Sequence, residues 1–232
     1  MKPWKKQQWV IPPKENGEFV ARMEQVLEVY KRPYDRKHPV LCMDEQPKQL
    51  IAETRKPMPT APGQPARIDY EYVRQGVCNV WMFVEPLGGW REVAVTETKT
   101  AVDWAVQVRR VVDDPRFAKA ERITLVSDNL NTHTLASLYQ AFEPAEALRI
   151  ANKLALVHTP KHGSWLNVAE PELSVLTRQC LNRRIADQQT VCEETCAWAQ
   201  QRNRRQTRVD WHFTTGDARI RLKRLYPQIE MC

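Results

Sequence analysis

The chain has 232 residues, 42% of them hydrophobic, which is enough to bury a real core and too apolar for a disordered polymer. No apolar run approaches the roughly 18 residues of a bilayer span, and the N-terminal "KPWKKQQWV" lacks the apolar stretch of a signal peptide, so a soluble cytoplasmic protein with no membrane partner is expected. The net charge of +7 divides into +4 over residues 1–40, −2 over 41–177 and +5 over 178–232. Basic ends around a slightly acidic centre suit phosphate neutralisation flanking a cation site, though solvated helix faces produce the same sums.

The first forty residues hold Trp4, Trp9 and the turn signal "IPPKENG", then "EFVARMEQVLEVYKR", whose Phe19, Met23, Val26, Leu27 and Tyr30 recur at helical spacing. "RPYDRKHP" reads as a connector, and "VLCMDE" as a short buried strand ending at Asp44. "RKPMPTAPGQPAR" is an irregular loop, and "VCNVWMFVEP" and "WREVAVTE" form a hairpin about the "LGG" turn. "TAVDWAVQVRRVVDD" predicts a helix with Val102, Ala105, Val106, Val108 and Val112 mainly on one side.

A second apolar strand, "RITLVSDN", ends in Asp128; "TLASLYQAF" and "PAEALRIANK" are helical; "LALVHTP" is a third short strand. Helices follow over about 168–181 and 189–203. The class is α/β with a mixed five-stranded sheet flanked by helices. Cysteines at 42, 78, 180, 192, 196 and 232 make no C-x-x-C pair and read as reduced, core-packing thiols.

Asp44 and Asp128 each follow a buried apolar run, and in open α/β sheets ligands gather beyond the carboxyl ends of strands. Two adjacent carboxylates repel unless a cation lies between them. Oxygen-only ligands suit Mg²⁺ or Mn²⁺, and a third acid, Glu170 or Glu172, would let two ions bind as in phosphoryl transfer. An acid at a strand end is often just the first polar residue of a loop, the favoured reading for either aspartate alone, and spacing alone leaves the triad even.

The blocks "LCMDE", "LVSDNLNTH" and "TPKHGSWLNVAE", with "WHFTTGDARIRLKRLYP" near the C-terminus, resemble the DDE transposases of the mariner superfamily, in its bacterial insertion-sequence branch. The ordered set carries the resemblance, not any single block. It implies a ribonuclease H-like fold in which Asp44, Asp128 and Glu170 are the catalytic acids and hold two Mg²⁺ (or Mn²⁺) ions for phosphodiester hydrolysis and strand transfer. Double-stranded DNA, both transposon ends and target, and a second copy of the chain are the implied partners.

The same resemblance puts Asn129 and His133 near the metals, with His133 at the scissile phosphate; a structural histidine capping the next helix fits equally. Lys161 and His162, just ahead of the third acid, would meet the DNA backbone. Arginine clusters containing Arg183, Arg184, Arg204 and Arg205 suit phosphate contacts, and solvated faces explain each cluster alone. Trp165 reads as packing, and Glu45 faces away from Asp44.

The expected organisation is a helical segment and linker over 1–38, the catalytic domain over 39–205 and a basic tail over 206–232. Relatives usually carry a helix-turn-helix region before the catalytic domain, and the residues ahead of Asp44 supply one helix. A catalytic part of a split or truncated element, with a separate chain supplying end recognition, is therefore expected. An inactive remnant that only binds DNA or a partner transposase, and a ribonuclease H-like nuclease without transposition, are the competing readings. Pro171 leaves two ways to start the last catalytic helix: Asn167 as N-cap with Glu170 as its capping-box partner, or Pro171 as first residue with Glu170 as cap. Glu172 is then a first-turn charge favoured by the helix dipole.

Overall fold

The computed structural model describes residues 14–228, so Trp4, Trp9 and Cys232 lie outside the described residues. Five strands, β1 Val40–Glu53, β2 Tyr72–Glu85, β3 Trp90–Thr96, β4 Ile123–Ser127 and β5 Leu154–His158, form one sheet in the order β3-β2-β1-β4-β5. The first three strands are antiparallel; β4 joins β1, and β5 joins β4, in parallel.

Both faces of this sheet are covered, which is why its central strands read as near-continuous apolar runs. Cys42, Val80, Met82, Val84 and Val126 point to one face, beneath α1 Gly17–Tyr30, α5 Ala169–Leu176 and α6 Gln188–Arg204. The alternate residues Leu41, Met43, Trp81, Phe83 and Leu125 point to the other, beneath α2 Ala101–Val112, α3 Leu135–Ala141 and α4 Pro144–Lys153. The period of two along each strand thus fixes which helix layer every side chain meets.

Three sequence expectations need correction. β1 does not stop at Asp44; its antiparallel ladder with β2 continues to Glu53↔Tyr72, while its parallel ladder with β4 is over by Cys42↔Val126. Beyond Asp44 the strand is an edge on the β4 side, where Pro47 removes no needed hydrogen bond. In α2 the capping box of Thr100 and Asp103 sets the start so that Trp104, Ala105, Val108, Val111 and Val112 face inward and Val102 is exposed. Cys42 and Cys78 pack in the core as expected, but Cys192 and Cys196 are exposed, one step around α6 from its buried Val191, Thr195 and Trp198.

The basic C-terminal stretch is folded: α7 Thr215–Arg221 and a 3₁₀ turn at Lys223–Leu225 pack on α1. Ala218, Leu222 and Leu225 share a core with Phe19 and Met23, the Leu225 carbonyl accepts from the Asn16 amide, and Glu24 is held by Arg219 and by the Tyr226 hydroxyl. No helix among the described residues is long and apolar enough to cross a membrane.

Candidate active site

The parallel register pairs Cys42 with Val126, and two residues on along each strand stand Asp44 and Asp128. Asp44 continues the Cys42 face and therefore looks toward α5; Glu45 continues the Met43 face and looks toward α2 and α3. Asp44 receives the backbone amide of Glu45 on its Oδ1 at 2.8 Å. Burial pushes the Asp44 carboxyl up to about 7, and the negative charges of Glu45, Asp128 and Glu170 push the same way against that one hydrogen bond. Asp128 and Glu170, the other two acids singled out in the sequence, are thus among the charges that act on Asp44.

Glu170 is exposed in the first turn of α5, and Asn167 sets where that turn begins. Asn167, itself buried, donates from Nδ2 to the Met43 carbonyl at 2.8 Å, so the helix start is tied to the residue preceding Asp44. Its Oδ1 accepts from the Ala169 amide at 3.1 Å, and its carbonyl from the Glu170 amide at 3.1 Å. Tyr30, reaching in from α1, donates to the Leu166 carbonyl at 2.7 Å. Neither helix start expected from the sequence is the one observed: the helix begins at Ala169, with Val168 at the N-cap and no side-chain cap bond from that residue. Pro171 falls in the first turn, where a backbone N–H has no intrahelical partner, so the ring costs no hydrogen bond.

Glu172 is not a solvated first-turn charge. It is 4% exposed and accepts a two-pronged contact from the fully buried guanidinium of Arg91, Nε and Nη2 each at 3.0 Å, with Arg202 at 2.7 Å on the same carboxylate. Arg91 also donates to the Thr207 carbonyl. Sequence reasoning missed this cluster because its members lie on β3, α5 and α6; the one signal was an arginine, Arg91, inside a strand that alternates toward the core.

Of the two sequence readings of His133, at the scissile phosphate or capping the next helix, the second is not seen, since α3 has Thr134 at its N-cap with no side-chain cap bond, and the residue is 1% exposed, away from solvent. Its Nδ1 lies 2.6 Å from Asp128 Oδ1 and its Nε2 3.5 Å from Glu45 Oε2, with the Trp104 ring stacked against it at 5.9 Å. Neither contact has hydrogen-bond geometry, and both His133 nitrogens, Glu45 Oε2 and Asp128 Oδ1 are buried without a hydrogen bond. Glu45 meets Lys99 on its outer side at 3.6 Å.

Asn129, Lys161 and His162 are exposed on the loops that leave β4 and β5. His162 has a left-handed backbone, φ 65°, closing a turn in which the Gly163 amide donates to the Pro160 carbonyl. The arginines are not gathered with the acids. Arg183 pairs with Glu194, and Arg184 pairs with Glu53 at the far end of β1, while Arg204 and Arg205 are exposed at the end of α6 near the β2–β3 turn. Trp165 packs edge-on against Phe213, as a packing residue should.

Among the described residues no three His, Cys, Asp or Glu side chains close into a finished metal cage. The donor set nevertheless fits a hard divalent cation: Asp44, Asp128 and Glu170 offer carboxylate oxygens alone. Mutual repulsion keeps such acids apart until positive charge lies between them.

A family model described as DDE superfamily endonuclease matches residues 39–192, which span β1 to the start of α6 and include Asp44, Asp128 and Glu170. The chain belongs to the DDE superfamily endonucleases. No curated protein matches the sequence of this endonuclease. Among solved structures it is similar to the Mos1 mariner paired-end complex with Mn, at 19% identity and a TM-score of 0.55, over 87% of this chain and 62% of that one. The Mos1 transposase paired-end complex with the left transposon end gives 18% and 0.56 over the same shares. A pre-cleavage Mos1 transpososome gives 18% and 0.52 over 99% of this chain and 70% of that one. The endonuclease thus has the ribonuclease H-like α/β fold, and it spans about three-fifths of the length of the first two of these relatives.

Proposed function

We propose that this chain is the catalytic domain of a DDE transposase of the mariner superfamily's insertion-sequence branch, cutting DNA at transposon ends and joining the freed 3′ ends to target DNA. The observation that carries the reading is the placement of Asp44 and Asp128 two residues beyond the paired Cys42 and Val126, with the start of the Glu170 helix tied by Asn167 to the Met43 carbonyl. The family match across all three acids supports it, as does the likeness in fold to transposase–DNA complexes.

In this reading Asp44, Asp128 and Glu170 hold two Mg²⁺ ions, or Mn²⁺ in their place. Bound there, the ions would supply activation of water or a 3′-hydroxyl and charge stabilisation at the leaving 3′-oxygen. The chain's own residues do the positioning. Asn167 fixes the start of the Glu170 helix against β1, and the β1–β4 ladder ends two residues short of both Asp44 and Asp128. Lys161 and His162, exposed on the loop after β5, and Asn129 on the loop after β4 contact the DNA backbone, with Arg204 and Arg205 along the same duplex. Arg183 and Arg184 reach phosphate only by exchanging Glu194 and Glu53 for it. Two copies pair two ends in the working complex.

The test is cleavage and strand transfer on DNA carrying the element's flanking repeats, in Mg²⁺ or Mn²⁺. Asp128→Asn and Glu170→Gln are expected to lower the rate by a hundredfold or more, on the order of 3 kcal/mol in the barrier. Activity indifferent to Asp128→Asn contradicts the mechanism. A folded wild type that binds this DNA yet never cuts it identifies the chain as a binding remnant instead.

A further inference from the structure

We propose that His133 is the positioning residue of Asp128, wedged between that carboxylate and Glu45 so that one Asp128 oxygen is fixed inward and the other is left for a cation. The inference rests on the reading of Asp128 as a metal-holding acid. It begins from a spot that is costly as it stands: four polar atoms, His133 Nδ1 and Nε2, Glu45 Oε2 and Asp128 Oδ1, buried together without a hydrogen bond. The fold keeps them there by packing. Trp104 lies against the imidazole with its ring plane tilted only 24° from it, and the residue is 1% exposed.

The order of groups is what gives the arrangement a function. Lys99, half exposed, meets Glu45 Oε1 at 3.6 Å; Glu45 Oε2 meets His133 Nε2 at 3.5 Å; His133 Nδ1 meets Asp128 Oδ1 at 2.6 Å. Each carboxylate in that row lies beside a nitrogen, and the row ends on the acid that stands level with Asp44. Groups of this kind behind a liganding side chain orient it, and removing them typically weakens metal binding ~10–100-fold. One of the two sequence readings of His133 put it at the scissile phosphate; its burial under Trp104 speaks for a role behind Asp128 instead.

Two titrations on the full chain separate these roles: Mn²⁺ binding, followed by the electron paramagnetic resonance signal of the free ion, and DNA binding without metal, followed by fluorescence anisotropy. His133→Ala is expected to weaken Mn²⁺ binding ~10–100-fold, with His133→Gln and Glu45→Gln falling between it and wild type, while metal-free DNA binding stays within about twofold. Near-UV circular dichroism checks folding, and the two glutamine variants carry the comparison if alanine opens the core. Unchanged Mn²⁺ affinity in a folded variant, or weakened DNA binding with Mn²⁺ affinity intact, overturns the assignment. If Asp128→Asn abolishes Mn²⁺ binding and the His133 variants do not alter it, only this inference falls. A wild type that binds no Mn²⁺ removes the metal reading and this inference together.

Discussion

Asp44 is the residue at which fold and chemistry oppose each other most plainly. Its carboxyl is pushed up to about 7 in the fold, first by burial and then by three neighbouring acids, against about 3.9 in an unfolded chain. A raised acid favours the neutral form, so its contribution to metal-free stability is fully present below about pH 4 and is lost as pH rises through 7. Asp44→Asn removes that loss. The metal-free variant should be more stable than wild type at pH 8, by on the order of 2 kcal/mol, with the advantage shrinking toward pH 4; thermal melts in a chelator measure it. A variant no more stable than wild type at pH 8 would mean that burial and the neighbouring acids do not raise the Asp44 carboxyl. That Asp44 and Asp128 each follow a buried run was legible in the sequence as a local pattern, and their assignment as a pair came from the resemblance. The places of His133 and Glu172 were not, because burial of a polar group depends on partners far away in the chain.

At the scale of elements, α5 shows how a local rule is overridden. Pro171 and two glutamates suggest a solvated helix mouth, yet Asn167 fastens the helix start to Met43 and Glu172 fastens its first turn to Arg91 and Arg202. The ion cluster ties α5, β3 and α6 together, and breaking a buried pair on one side leaves uncompensated charge. Glu172→Gln should therefore cost about 3–5 kcal/mol in urea unfolding, whereas Glu170→Gln, on an exposed side chain, should cost under about 0.5 kcal/mol. Equal effects on stability would contradict the separation of one structural and one functional glutamate. The existence and order of all five strands and the main helices were readable from periodicity. The true length of β1 was not, because it is set by where its partner β4 ends, which no window of β1 residues contains.

For the whole molecule, the sheet works as a frame with a different task on each face. On one side α1, α5, α6 and α7 form a core that fixes Glu170 through Tyr30, Leu166 and Asn167. On the other, α2 and α3 bury His133 behind Asp128. Asp44, on the central strand, is shared between the two halves, so the three acids are presented by three elements that only the complete fold aligns. The most direct measurement of that claim is Mn²⁺ anomalous diffraction from crystals of the full chain. The account predicts an anomalous peak ligated by Asp44 and Asp128 with Glu170 contributing, and its disappearance in Asp128→Asn. Mn²⁺ bound elsewhere on the chain, or a peak that survives Asp128→Asn unchanged, would contradict it.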